Sequence, residues 1–301
     1  MSDQVLVETP PQVWTNRTFA GRGYPRMRAF MRHRLALAGF IVVLALALIA
    51  IFAPVLAPYD PNAVDLFATA QGPSRAHLLG TDDIGRDVLS RVIYGARVSL
   101  SVGLVSVTIY VAIGMVLGSI SGYFGGWIDS TIQRFTDAVM CFPSLIIIIA
   151  AVAIIGPSIY NVMIVIGLLT WPGICRLVRG QILQLREREF VEAARALGAS
   201  PTRVIFAHLL PNTIAPITVA ATFGVAAAIL TEAGLSFLGL GVQPPTPSWG
   251  NMINTAQSAA VLQNMPWLWI PAGVMIALAV LSINFVGDGL RDALDPRSAH
   301  R

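Results

Sequence analysis

The segment Glu192-Ala193-Ala194-Arg195-Ala196-Leu197-Gly198, followed at a distance by Leu210-Pro211, decides how this chain is read. It is an Arg- and Glu-bearing stretch lodged between long apolar runs. Phe190, Ala193, Ala194 and Leu197 recur at i, i+3, i+4 and i+7, which predicts a short amphipathic helix. Gly198 ends that helix, and Ser200-Pro201 blocks its continuation while offering a start for the next. Glu192 falls in the first turn, where its charge suits the positive end of the helix dipole. Two small residues in the middle leave a shallow face on which another protein can sit closely. A helix that merely covers its own bundle is the plain alternative.

Outward from this segment the chain is apolar. Hydrophobic residues make up 55% and charged residues 12%, with a mean hydropathy of +0.70. An ordinary soluble domain carries about 25% charged residues. Lipid-facing positions exclude charge, so the composition predicts an all-α integral membrane protein. All 20 basic residues are arginine. A phosphate-binding Walker A loop needs a lysine to reach the β and γ phosphates, so this chain is not a conventional ATP-hydrolysing subunit. The net charge of +4 is no nucleic-acid footprint, because the arginines cluster beside apolar runs and not on one basic domain. Cys141 and Cys175 lie in or beside apolar runs, and the four histidines are scattered. Neither set has metal-ligand spacing; buried reduced thiols and no metal are expected.

Six apolar runs are long enough to cross a bilayer, a distance that takes about 20 residues. They fall near 35–57, 98–122, 138–155, 159–174, 209–231 and 267–286. The expected organisation is therefore an N-terminal tail (1–34), a first span (35–57), an external loop bearing an amphipathic helix (58–97), a core of five spans (98–286) that contains the polar helix at about 189–199, and a C-terminal tail (287–301). Gly156-Pro157-Ser158 is a turn signal between the third and fourth spans, and 138–175 holds no Asp, Glu or Arg, as suits a helical hairpin. Residues 1–23 show no periodicity and read as a mobile tail. A cleaved signal peptide is the rival reading of this end, but the uncharged run at 35–53 exceeds the 7–15 residues of a signal core, so a retained first span is expected.

Orientation follows from arginine placement. Arg17, Arg22, Arg26, Arg28, Arg32 and Arg34 precede the first span; Arg134 follows the second; Arg176, Arg179, Arg186, Arg188, Arg195 and Arg203 follow the fourth; Arg291, Arg297 and Arg301 follow the sixth. An even number of spans puts all of them on one side, the cytoplasm, with both termini inside a multi-pass cell-membrane protein. The other side holds Arg75, Arg86, Arg91 and Arg97 beside Asp60, Asp65, Asp82, Asp83 and Asp87.

Two outer connections carry structure of their own. In the first, Thr81 or Asp82 is a candidate cap for a helix that places Ile84, Val88, Leu89, Val92 and Ile93 on one face along the membrane surface, with Asp87 and Arg91 at i,i+4. In the second, 233–266, Gly234, Gly239, Gly241 and Pro244-Pro245-Thr246-Pro247 prevent one continuous helix. Phe237, Leu238, Leu240 and Trp249 are too apolar for a free loop, which predicts a re-entrant plug sheltered by the bundle. With Gly239, these residues are a candidate external gate.

No catalytic constellation is present, and no paired carboxylates lie within a span. The charges near membrane depth, Glu232 and Asp288, are expected at span ends. An ion-coupled secondary transporter, the other reading open to such a chain, usually needs an ionisable relay inside its spans. A non-transporting scaffold is a third reading.

The spacing of Glu192, Ala193, Ala194, Gly198, Leu210 and Pro211 resembles the EAA loop of permease subunits in ATP-driven (ABC) importers, with His208 standing where that pattern has Ile. The run from Leu79 to Arg91 (LGTDDIGRDVLSR), the run from Glu232 to Gly241 with Pro244 to Gly250, and the run from Gly287 to Pro296 resemble signatures of the C-type dipeptide/oligopeptide permeases of the peptide/nickel group. The resemblance covers roughly 27–297. It implies a type I importer permease fold with six transmembrane helices and a cytoplasmic coupling helix, in which Glu189, Phe190, Glu192, Ala193, Ala194, Arg195, Leu197, Gly198 and Ala199 meet the ATPase. It also implies a B-type permease partner, two ATP-binding subunits or one fused ATPase that hold ATP and Mg, and an external peptide-binding protein. This chain would then need no cofactor and bind no nucleic acid. Peptide is the implied substrate; nickel complexes, glutathione and haem are handled by similar permeases.

Overall fold

The structure, a computed structural model, describes residues 30–31 and 33–294. The expected tail at 1–23, the arginines before His33 and those after Leu294 lie outside the described residues. Among the described residues the chain is helical, with one isolated bridge between Thr81 and Asp87. Helix α1 (Arg34–Ile51) is capped by the His33 ring, whose Nδ1 accepts from the Ala36 amide at 3.1 Å. Its outward side is Leu37, Phe40, Ile41, Leu44 and Leu48, all exposed, as a lipid-facing side requires. The chain breaks at Phe52 and continues as the single turn α2 (Ala53–Leu56).

Helix α3 (Val88–Phe124) has 37 residues, about 55 Å at 1.5 Å per residue. Its cap is Asp87, whose Oδ2 accepts from the Ser90 amide at 2.7 Å, not Thr81 or Asp82. Ile84 sits in a turn, and Asp82 folds back on its own loop, accepting from the Ile84 and Arg86 amides. The expected surface helix is therefore the first turns of the second span itself. Arg91 pairs with Asp82 at 3.8 Å and donates to the Pro61 carbonyl, while Asp87 meets His77 at 3.0 Å.

The third span is the main departure from expectation. Helix α4 (Gly126–Met140) and helix α5 (Ser144–Ile155) meet at an 80° bend around Cys141 to Pro143. Pro143 has no amide hydrogen to continue a helix, and it steers the residue before it out of the helical region. At 12 residues, α5 reaches only about 18 Å, too short to cross alone. The turn to α6 (Ile159–Leu185) is made at Gly156, with φ +92°, as expected. Past α6 come α7 (Glu189–Ala196), the single turn α8 (Pro201–Arg203), a π-turn (Val204–Leu209) and α9 (Leu210–Phe237). Two short helices, α10 (Trp249–Asn254) and α11 (Ala259–Asn264), precede α12 (Pro266–Leu294). Five of these helices are long and apolar enough to cross a membrane, six if the bent α4–α5 pair is one span. The spans outrun the apolar runs because α6 and α12 continue past them, through Arg176–Gln184 and Asp288–Asp292.

The tightest seam lies between α3 and α6. Gly114, Gly118 and Gly122 recur every four residues on α3, and a Cβ there would lie 2.7 Å from Ile174 Cβ, 2.5 Å from the Cys175 carbonyl and 3.0 Å from the Arg179 carbonyl. Bare backbone lets the two helices meet without side chains between them, which is how helices associate where burial from water offers no driving force. Around this seam Val102, Ile166, Trp171, Val178, Ile182 and Leu209 form the main core. A second core joins α1, α12, the start of α3 and α10 through Leu46, Val88, Val92, Trp249 and Ile276. Chain direction places α7, the end of α3 and the starts of α1 and α9 at one end of the bundle, and the two outer connections at the other.

Candidate functional site

Helix α7 projects from the end of the bundle. Arg188 precedes it in extended conformation, and Glu189 and Glu192 occupy its first turn. Val191 (0% exposed) and Ala194 (9%) face inward. Val191 belongs to the same buried cluster as Val178, Ile182, Val204 and Ile205, and its helix lies against the π-turn that carries the last two. Phe190 (42% exposed) and Leu197 (88%) face outward with Glu192, Ala193 and Arg195. The predicted apolar stripe is therefore split: Ala194 belongs to the buried side, and Val191, not singled out from the sequence, is its anchor. Its position three residues before Ala194 was the available signal.

The helix ends as its glycine predicts. Gly198 has φ +81°, the Gly198 amide donates to the Arg195 carbonyl at 2.9 Å, and the Ala199 amide donates to the Ala194 carbonyl at 3.0 Å. This is the paired closure of a Schellman end. No atom lies within 4 Å of where a Cβ on Gly198 would stand, so the site opens outward. Ser200 then caps α8, and the π-turn carries the chain past Pro211 into α9. Two arginines tie this end to α3: the Arg195 guanidinium lies over the Tyr123 ring at 5.0 Å, and Arg186 donates to the Gly122 carbonyl at 3.1 Å. Among the described residues Glu189 and Glu192 make no ion pair. The result is an exposed acidic and apolar face on a helix whose back is locked into the core.

At the other end, α9 runs straight through Gly234 to Phe237 and closes with the same geometry: Gly239, at φ +79°, donates to the Ser236 carbonyl, and Leu240 donates to the Leu235 carbonyl. Phe237 and Leu238 are left exposed, and Leu240 is half-buried against the main core. Trp249 is not beside them. Its side chain is fully buried, its Nε1 donates to the Val92 carbonyl at 3.0 Å, and its amide donates to Ser99 Oγ at 3.2 Å. Ser248 and Asn251 form a reciprocal capping box at the start of α10. Trp249 thus anchors the connection, and only Phe237 to Gly239 present a free surface.

Glu232 is a correction to the expected span-end charge. It lies inside α9 and is fully buried; one carboxylate oxygen accepts from Ser236 Oγ at 2.7 Å and the other from Ser99 Oγ at 3.2 Å. Ser236 Oγ in turn accepts from the Val242 amide, as Ser99 Oγ does from Trp249. One carboxyl group therefore binds α3, α9 and the folded connection into a unit. The serine four residues after Glu232 was the visible hint. Among the described residues no cluster of side chains could hold a metal ion.

Comparisons with known proteins agree with this architecture. Residues 114–300 match the model of the binding-protein-dependent transport system inner membrane component, and residues 26–73 match the N-terminal transmembrane domain of oligopeptide transport permease C. A protein of Brucella suis biovar 1, provisionally named a peptide permease, is 48% identical over 269 residues, 89% of each chain. The dipeptide transport system permease protein DppC of Alkalihalophilus pseudofirmus is 47% identical over 266 residues, 88% of this chain and 87% of that one. The glutathione transport system permease protein GsiD of Pectobacterium atrosepticum is 43% identical over 271 residues, 90% of this chain and 89% of that one. Among solved structures, the inward-facing MetNI methionine ABC transporter matches with a TM-score of 0.53 and 18% identity, over 68% of this chain and 96% of that one. The chain belongs to the binding-protein-dependent transport system inner membrane components, the permeases of ABC importers.

Proposed function

We propose that this chain is one of two permease subunits of an ATP-driven peptide importer. The observation that carries the reading is α7: its outward face of Glu189, Phe190, Glu192, Ala193, Arg195 and Leu197 is left uncovered, while Val191 and Ala194 fix its back to the core. A face so held transmits a push from a docked protein to α3, α6 and α9 together. The docked protein is the ATPase, as two subunits or one fused chain that binds ATP and Mg in the cytoplasm. Both termini of the permease lie on that same side. Closure of the ATPases shifts the population of the bundle between inward- and outward-open states, and the energy enters entirely through α7. A B-type permease completes the pathway, and an external binding protein delivers the peptide at the end that carries Phe237 to Gly239, the candidate gate. The dipeptide and glutathione permeases among the relatives support a short peptide as cargo.

The test is reconstitution of the chain with its second permease, ATPases and binding protein in liposomes. Peptide uptake that requires ATP, and ATP hydrolysis stimulated by the loaded binding protein, are expected. Uptake driven by an ion gradient without ATP would favour a secondary transporter instead.

A further inference from the structure

A cleft of about 430 Å3 opens between α6 and α9 near mid-height of the bundle. Its walls are largely apolar, with Ile174 and Leu177 of α6, but the small residues Gly173 of α6 and Gly224 and Ala227 of α9 leave room between them, and Thr170 and Thr231 bring two hydroxyl groups to the lining. It contains no Asp, Glu, Arg or His.

Tyr110 of α3 forms part of the same lining. Its side chain is only 6% exposed, and its hydroxyl sits over Gly224, where a Cβ would lie 1.5 Å from the Tyr110 oxygen. That glycine is what lets the hydroxyl reach the cleft. The hydroxyl has no hydrogen-bond partner among the described residues, so a donor and acceptor is aimed into the space and left unused. Thr170 and Thr231 donate to the Ile166 and Ala227 carbonyls of their own helices, which leaves their oxygens free to accept. Pro172 removes the amide that would bond the Leu168 carbonyl one turn back.

An acyl chain or an apolar helix laid here would leave the Tyr110 hydroxyl buried and unbonded, an unfavourable outcome in a medium of low dielectric. A peptide main chain, with alternating amides and carbonyls, satisfies it. We propose that the cleft is a hydrogen-bonding station for the main chain of a transported peptide, with Tyr110 as its fixed donor and acceptor. The assignment rests on the peptide-import reading above. With no charge in its lining, the station holds cargo by its backbone and does not select among side-chain charges.

The complete complex in liposomes tests this with three radiolabelled tripeptides, tri-alanine and analogues carrying one Lys or one Glu. Tyr110→Phe is expected to reduce uptake at subsaturating peptide about threefold or more, alike for all three, the size of one lost neutral hydrogen bond. Independently, Ala227→Cys in a Cys141→Ser background is expected to react with a hydrophilic maleimide, and more slowly while tri-alanine is being transported. If the wild-type complex imports tri-alanine but Tyr110→Phe does so equally well, the cleft assignment falls. It falls too if Ala227→Cys stays unlabelled, because lipid or the second permease then fills the space. If the wild-type complex imports none of the tripeptides, the import reading fails and takes this assignment with it.

Discussion

The Arg179 guanidinium grips Asp129 through two parallel bonds of 2.6 Å each, from Nε and from an Nη nitrogen to the two carboxylate oxygens. Ser121 of α3 also donates to Asp129, and Gln133 donates to Ser121. One fork therefore ties α4, α6 and the last turns of α3 together. Both groups are partly buried, which makes the pair stronger than a surface salt bridge. Asp129→Asn is expected to destabilise the purified chain by about 1–3 kcal/mol, and Arg179→Gln by a similar amount. In a double-mutant cycle read by thermal unfolding in detergent, the two losses should be clearly less than additive; strict additivity would mean that the pair does not couple.

Gly198→Asp places a side chain where φ is +81° and nothing in the chain itself obstructs it. The backbone cost is about 1 kcal/mol, small enough for the helix to survive. The added bulk and charge stand on the exposed face proposed to dock the ATPase. We expect normal insertion, weakened pull-down of the ATPase and loss of peptide-stimulated ATP hydrolysis. Glu192→Ala should give a milder form of the same defect, since an exposed ion pair contributes about 0–1 kcal/mol. Wild-type pull-down and stimulation in Gly198→Asp would remove α7 as the coupling helix.

Gly118→Ala forces a methyl group to within 2.5 Å of the Cys175 carbonyl, a backbone atom that moves only if α6 moves. Expression of folded, monodisperse protein should collapse. Gly180→Ala, on the same α6 but with nothing within 4 Å of the new methyl, should be neutral or stabilising by up to about 1 kcal/mol through helix propensity. Size-exclusion profiles of the two variants decide it; equal behaviour would show that the α3–α6 seam does not depend on bare backbone.

Gly239→Trp and Trp249→Ala should separate gate from anchor. At Gly239, where φ is +79°, a side chain costs about 1 kcal/mol of backbone strain but meets nothing within 4 Å, so transport should fall while the complex still assembles. Trp249→Ala empties a fully buried site and strands the Val92 carbonyl, at about 3–5 kcal/mol, while the backbone-amide bond to Ser99 is kept. Assembly itself should be lost there. Unchanged uptake in Gly239→Trp at normal expression would exclude the gate.

Orientation is open to labelling in intact cells once the exposed Cys141 is replaced. A cysteine at Ser200 should be shielded from an impermeant thiol reagent, and cysteines at Asn62 and Thr246, both exposed, should react. Reaction at position 200 from outside would invert the topology.

The sequence by itself settled what short-range rules govern. Apolar runs against a scarcity of charge dictate membrane helices, because backbone groups in lipid must be bonded internally. Gly198 and Gly156 announced chain turns that the structure makes at positive φ, since only glycine enters that region freely. The polar segment around Glu192 likewise announced its own helix. What needed the tertiary structure was everything that depends on which side of a helix faces what. The outward turn of Phe190 and Leu197 follows from Val191 joining the main core, a choice that periodicity alone left open. The α3 glycines look like weak helix positions until α6 lies against them. Glu232 and Trp249 looked like a span-end charge and a gate, yet both are buried through bonds to residues 133 to 157 positions away in the chain. Contacts of that length are set by packing, and no local pattern encodes them.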